Sequence, residues 1–150
     1  MRYFLLLFFN LLYLVTNAQK SGRLPAYMAG NFSDDYEISY KIEPAKWAQL
    51  PNAVYHIIQV NSIGQFIIAK NDRGNKSDTG LYSRIDFVKL TKMEPYSWAF
   101  CLSEYKALSD TAAENGYKAD RNNLMKGCNG FPFSRMKRVL KNELKNKSYE

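Results

Sequence analysis

Hydrophobic and polar positions alternate strictly over residues 36–42, where Tyr36, Ile38, Tyr40 and Ile42 take turns with Glu37, Ser39 and Lys41. A period of two with one polar face predicts a half-buried strand. Pro44 ends it, and Trp47 follows in a short connection. Residues 53–60, AVYHIIQV, form a β-branched run too apolar for simple alternation, which predicts a strand covered on both faces. An Asn/Ser/Gly segment at 61–64 turns the chain into QFIIAK, residues 65–70, the signature of a hairpin. After the polar loop NDRGNKSDTG (71–80) comes LYSRIDFVKL, 81–90. Its alternation sets Leu81, Ser83, Ile85 and Phe87 on one face, and Tyr82, Arg84, Asp86 and Val88 on the other. A turn at 91–95 leads to YSWAFCL, 96–102, and a sixth strand is readable around 30–33.

Helical signals come late in the chain. Ser109 is placed to cap DTAAEN, with Gly116 as its stop. In SRMKRVLKNELKNK, residues 134–147, Met136, Val139, Leu140 and Leu144 recur at helical intervals among lysines and arginines, predicting an amphipathic basic helix. The fold class expected is mainly β: a small antiparallel barrel or sandwich of five to eight strands, with one short helix and a basic C-terminal helix.

Residues 1–18 stand apart from this pattern. Arg2, an apolar run interrupted by Asn10, and the small residues Thr16, Asn17 and Ala18 have the layout of a cleaved secretory signal. The run is shorter than the roughly 20 residues a spanning helix needs. The expected organisation is a signal peptide at 1–18, a secreted β domain at 19–138 and a basic tail at 139–150, in a periplasmic or extracellular protein. Cys101 and Cys128 are the only cysteines, and in an oxidising destination they pair most economically with each other. Closing a loop of about 28 residues in this way stabilises by roughly 3–4 kcal/mol.

Charge sharpens the reading of partners. The chain carries a formal +7, of which Arg2 belongs to the leader. Six cations and two carboxylates at 135–150 contribute +4, so the body at 19–134 holds only +2. That distribution argues against a dedicated nucleic-acid fold and leaves residues 135–147 as a candidate contact for an anionic membrane or polymer.

Little in the chain supports catalysis. His56 is the single histidine, so a zinc site of the usual composition lacks ligands. Asp72, Asn75 and Asp78 do not match a calcium-loop spacing, and no nucleotide-binding glycine motif is present, so no cofactor is expected. A trio of Ser103, His56 and Asp86 is the one hydrolase arrangement available, and neither a nucleophile elbow nor an oxyanion loop accompanies it. Aromatic side chains are abundant instead. Trp47, Tyr55 and Trp98 are candidates to line a cup for a small apolar or sugar-like ligand, with Arg84 and Arg121 as polar anchors. Core filling is the competing use of the same rings. The reading that follows is a non-enzymatic binding protein, with a surface-interaction protein acting through its tail, or a hydrolase acting through His56, as alternatives.

The run GCNGFPFSRMKR, residues 127–138, reads as a closure. Gly127 and Gly130 permit sharp turns beside the cysteine, and Phe131 and Phe133 are expected to plug one end of a barrel, with Pro132 fixing the chain between them. Arg135 is left to pair with an acid or face a ligand. The segments YHIIQVN, GLYSRIDFVKL, PYSWAFCLSEYKA and DRNNLMKGCNGFPFSRMKR, behind a leading signal, resemble a functionally uncharacterised family of small exported bacterial proteins. The likeness covers most of residues 30–138, WAFCLS and GCNGFPFSRM being its most specific runs. It implies export and carries over no catalytic residue. A weaker resemblance is to lipocalins, in Gly30-Asn31-Phe32, the antiparallel meander and a late-strand cysteine tied to the C-terminal region. Phe32 stands where the lipocalin pattern has tryptophan, and five or six strands are legible in place of eight. That likeness concerns architecture alone.

Overall fold

A short acidic side chain sets the first turn. In the computed structural model, which describes residues 22–140, Asp34 Oδ1 accepts the backbone N–H groups of Tyr36 (3.0 Å) and Ile38 (2.8 Å). This Asx-type bracing reverses the chain with Glu37 at φ 63°, so Tyr36 lies in the turn, 60% exposed, and the strand starts at Ser39. The alternating segment is therefore a turn followed by a strand.

Eight strands follow one another in chain order: β1 (Gly30–Asp34), β2 (Ser39–Glu43), β3 (Lys46–Leu50), β4 (Ala53–Asn61), β5 (Phe66–Asn71), β6 (Tyr82–Lys89), β7 (Tyr96–Ala107) and β8 (Ser134–Arg138). Every neighbour pair is antiparallel, and β8 pairs with both β7 and β1 to close a barrel. One short helix, α1 (Asp110–Asn115), starts where expected, with the Ser109 hydroxyl accepting the Ala112 N–H at 3.1 Å. Two expected elements change. Trp47 sits on a strand, β3, and not in a connection. Residues 134–138 form β8 and not the start of a basic helix; the rest of that expected helix, from 141 on, and the leader at 1–18 lie outside the described residues. The sheet wins over the helical spacing because β1 and β7 both present unpaired backbone groups to this segment. Its period-two pattern suits the place, with Met136 turned into the core between Arg135 and Lys137.

Inward positions fill the barrel. Phe32, Tyr40, Ile42, Trp47, Ile67, Ile85, Phe87, Trp98 and Met136 are all at most 2% exposed and belong to one apolar cluster. Edge-to-face rings join its centre: Phe32–Trp98 at 5.3 Å, Trp47–Trp98 at 5.7 Å and Trp47–Phe100 at 4.9 Å between centroids. The buried Trp98 Nε1 meets no acceptor among the described residues, so packing alone holds that ring. Leu24 and Met28, at the second of which a 3-10 turn (Ala26–Met28) ends, join the same core. The Arg138 guanidinium fastens this lead-in, donating to the carbonyls of Tyr27 and Ala29 while lying 4.8 Å from the centroid of Phe32.

A second apolar layer lies outside the wall. α1 packs on β5, β6 and β7, burying Ala113 with Phe66, Ile68 and Ala107. Beside it Cys101 bonds Cys128, and Leu90, Ala99, Ala119 and Phe133 cluster around them. Phe133 thus covers the outer wall and Phe131 is 70% exposed, so neither plugs the barrel. Gly127 is required by close approach, since a Cβ there would run into the carbonyls of Asp120 and Asn123. The outer layer stops short of β4, which leaves His56 exposed and Ile58 42% exposed; only the inner face of that strand is covered.

Two outcomes follow from this core. Trp98→Ala should cost about 3–5 kcal/mol in chemical denaturation, the range for emptying a large buried aromatic site. Tyr40 donates to Asp34 Oδ2 at 2.9 Å, and burial, reinforced by the Asp34 charge, holds its phenol well above the ordinary value. Above about pH 10 the unfolded chain releases a proton that the folded chain keeps, so stability should fall by about 1.4 kcal/mol per pH unit for this group. Tyr40→Phe should lose about 1.5–3 kcal/mol at neutral pH and show a shallower alkaline decline, both read from urea midpoints.

Candidate functional site

The β5–β6 loop, entirely polar in sequence, is ordered by two amide side chains. Asn75 makes both bonds of a strand residue with Val54, accepting its N–H at 2.8 Å and donating to its carbonyl at 2.9 Å. Asn71 donates to the carbonyls of Asp78 (2.9 Å) and Tyr105 (3.1 Å) and accepts the Ser83 hydroxyl at 2.6 Å. Asp72 Oδ1 accepts the Gly74 N–H, and its other oxygen lies 2.6 Å from His56 Nε2. That hydrogen bond to His56, with the Gly74 N–H, holds the Asp72 carboxyl below its usual range. The oxygens of Asp72 and Asn75 are thus aimed at the chain itself and not at a common centre.

Held this way, the loop walls a cavity of about 290 Å³ at one mouth of the barrel. β3 contributes Gln49, the following turn Asn52, β4 Tyr55, the loop Lys76 and Asp78, and β7 Leu102 and Tyr105. Among the described residues the side chains of Gln49, Asn52 and Tyr55 make no hydrogen bond, although each lines the cavity. Burial, with a smaller contribution from Asp78, pushes the Tyr55 phenol up, so at neutral pH it is both donor and acceptor. Two amides and a phenol, the opposite charges of Lys76 and Asp78, and the Tyr105 ring make a polar mouth over an aromatic core.

A different cluster lies on the outer wall. Arg84 and Asp86, both on β6 and at most 2% exposed, form a bidentate pair: Nε donates to Oδ2 at 3.0 Å and Nη2 to Oδ1 at 2.8 Å. The third nitrogen of Arg84 donates to the Glu114 carbonyl at the end of α1, and its guanidinium stacks 3.9 Å from the Phe66 ring centroid. Asp86 Oδ2 also accepts the Ser103 hydroxyl (2.6 Å) and the Ala119 N–H (3.3 Å), and Arg121 reaches Oδ1 at 3.5 Å. Ser103 and Asp86 therefore meet, while His56 pairs with Asp72 on another part of the wall; the hydrolase trio is not assembled.

The six candidate ligand residues are consequently divided. Trp47 and Trp98 lie in the filled interior. Tyr55 is the one at the mouth. Arg84 and Arg121 meet at Asp86 outside the barrel. Arg135 is separate, with Nε 2.9 Å from Asp35 Oδ2 and its guanidinium 4.9 Å from the Tyr96 centroid; the bond to Asp35 holds it above its ordinary value. Gln49, Asn52 and Lys76 carry no sequence signal of a site, and Asp78 is marked in sequence only by the unmatched calcium-loop spacing. Gln49 would follow from the period-two step after Trp47, once that residue is placed on a strand.

The class of protein defined by the described residues is an eight-stranded up-and-down barrel with a filled interior and a polar mouth. The chain matches no protein-family model, no curated protein and no solved structure. Among the described residues no helix is long and apolar enough to cross a membrane. The Cys101–Cys128 bond is the chemistry of an oxidising, non-cytoplasmic setting. Asp86→Asn should cost about 3–5 kcal/mol, because it leaves the Arg84 guanidinium buried without its counter-charge. Ser103→Ala removes one bond to the same carboxylate and should cost about 1–3 kcal/mol, both measured by urea unfolding.

Proposed function

We propose that this is an exported, non-enzymatic barrel protein whose mouth binds a small sugar-like ligand. The carrying observation is that Gln49, Asn52 and Tyr55 converge on one cavity with their hydrogen-bonding groups unused by the described chain. A neutral polyhydroxylated ligand suits them, since it needs both donors and acceptors and gains from an aromatic face such as Tyr105. The cavity of about 290 Å³ lies at the lower end of the ligand-pocket range, which fits a ligand of roughly one or two rings. An apolar ligand is less well served, because the interior that would take it is occupied by Trp47, Trp98 and Phe100.

Export is supported by the leader-like residues 1–18 and by the disulfide. We further propose membership of the small exported bacterial family that the WAFCLS and GCNGFPFSRM runs resemble. Eight strands in an up-and-down barrel, with Gly30-Asn31-Phe32 in its first strand, also support the architectural analogy to lipocalins. The tail reading rests on charges of which Lys141, Lys145 and Lys147 lie outside the described residues.

Titration of neutral mono- and disaccharides, followed by amide chemical shifts, should show saturable changes at Asn52, Tyr55 and Ser77. Gln49→Ala, Asn52→Ala and Tyr55→Phe should each weaken binding by about tenfold, the loss of one net hydrogen bond, with an unchanged melting temperature. Absence of saturable binding by every saccharide, or wild-type affinity in all three variants, overturns the reading.

A further inference from the structure

We propose a second binding site, independent of the mouth, on the outer wall between the end of α1 and residues 118–121, and we infer that it takes a small molecule bearing an oxyanion. A cavity of about 370 Å³ lies there, with Phe66 and Arg84 in its lining and Lys118 and Arg121 contributing the cations. Asp86 neutralises Arg84 and is already saturated, because two Arg84 nitrogens, the Ser103 hydroxyl and the Ala119 N–H occupy its oxygens. Arg121 can add only the long 3.5 Å contact, so most of its five N–H donors have no acceptor among the described residues. Lys118 forms no salt bridge among the described residues either, and both ion pairs at this site are made by Asp86 with the two arginines.

The charge balance points to an anion. The lining carries three cations, Arg84, Lys118 and Arg121, and one carboxylate, Glu114, which the Gln59 side-chain amide engages at 3.3 Å; Asp86 beneath them offsets Arg84, and Asp120, outside the lining, accepts the Asn122 N–H. One positive charge is left over, on the two side chains whose donors are unused. The Arg121 side chain is 30% exposed, so it sits where an ion pair is screened less than on open surface. A guanidinium fork matches a carboxylate or phosphate edge, and the adjacent Lys118 supplies a second cation of less fixed geometry.

The test is titration of the folded, disulfide-bonded chain with inorganic phosphate, sulfate and succinate at low ionic strength, read by amide shifts at Gly64, Ala119 and Arg121. Saturable shifts are expected for at least one of these anions, with affinity falling as sodium chloride is raised. Binding by phosphate or sulfate alone would identify a tetrahedral oxyanion, and binding by succinate a carboxylate; either supports the site. Arg121→Gln and Lys118→Gln should each weaken binding about tenfold. Lys126→Gln, on an exposed residue of the same segment outside the cavity, should leave it unchanged. Asp86 keeps four donors without Arg121, and Lys118→Gln touches no described hydrogen bond, so at least one variant tests binding in an intact fold. No saturable shift with any of the three anions, or equal loss in Lys118→Gln and Lys126→Gln, overturns the proposal. Tyr55→Phe, which addresses the mouth, should not alter anion binding, and neutral saccharides should not displace the anion.

Discussion

The Asp86 carboxylate gathers donors from three separate parts of the chain. Arg84 lies on the same strand, Ser103 comes from the neighbouring strand, and Ala119 and Arg121 come from the long connection that returns the chain to β8. A buried carboxylate without such partners would be strongly unfavourable, so the connection is drawn onto the wall by an electrostatic demand as well as by apolar contact. Arg84 extends the same network to the end of α1 through the Glu114 carbonyl. The outer layer is thus a polar centre flanked by two apolar clusters, one under α1 and one around the disulfide.

This arrangement separates the tasks of the barrel. Aromatic side chains that could have surrounded a ligand are spent on one another inside, through the contacts of Trp47, Trp98, Phe32 and Phe100. Eight strands make an interior just wide enough to be filled in this way or to hold one small ligand. With the lead-in residues Leu24 and Met28 also in the core, unused polar groups collect where strand ends and the ordered β5–β6 loop meet. Asn75, standing in for a strand residue beside Val54, and Asn71, bridging Asp78 and Tyr105, brace the segment that carries Lys76 and Asp78.

Much of the barrel was legible from period-two patterns. Ser83, Ile85 and Phe87 face inward and Arg84 and Asp86 outward, as the alternation of 81–90 implies. β3 was hidden because five residues between two turns give too few alternations, with Trp47 the one large inward side chain. β8 is masked in sequence because Met136, Val139, Leu140 and Leu144 satisfy a helical spacing, and only the two neighbouring strands decide otherwise. Ser109 and Gly116 bounded α1 correctly because capping is local chemistry. The mouth was less legible. Tyr55 was included for its aromatic character, but the free amides of Gln49 and Asn52 become visible only once the partners of every other polar group are known. The charge of Arg84 suits a ligand anchor in sequence, while its hydrogen bonds are all made within the protein.

The bond between Cys101 and Cys128 also alters the topology of the chain as a polymer. Phe100 pairs with Ser134 across the β7–β8 seam, about 34 residues apart along the backbone. Through the disulfide the covalent path between them shrinks to about seven residues, and the conformational search needed to find that register contracts accordingly. On the logarithmic loop-closure law this lowers the cost of joining the two strands by about 1.4 kcal/mol. The last strand of the barrel is thereby delivered as though it were the second half of a hairpin, despite a helix and a full outer layer lying between.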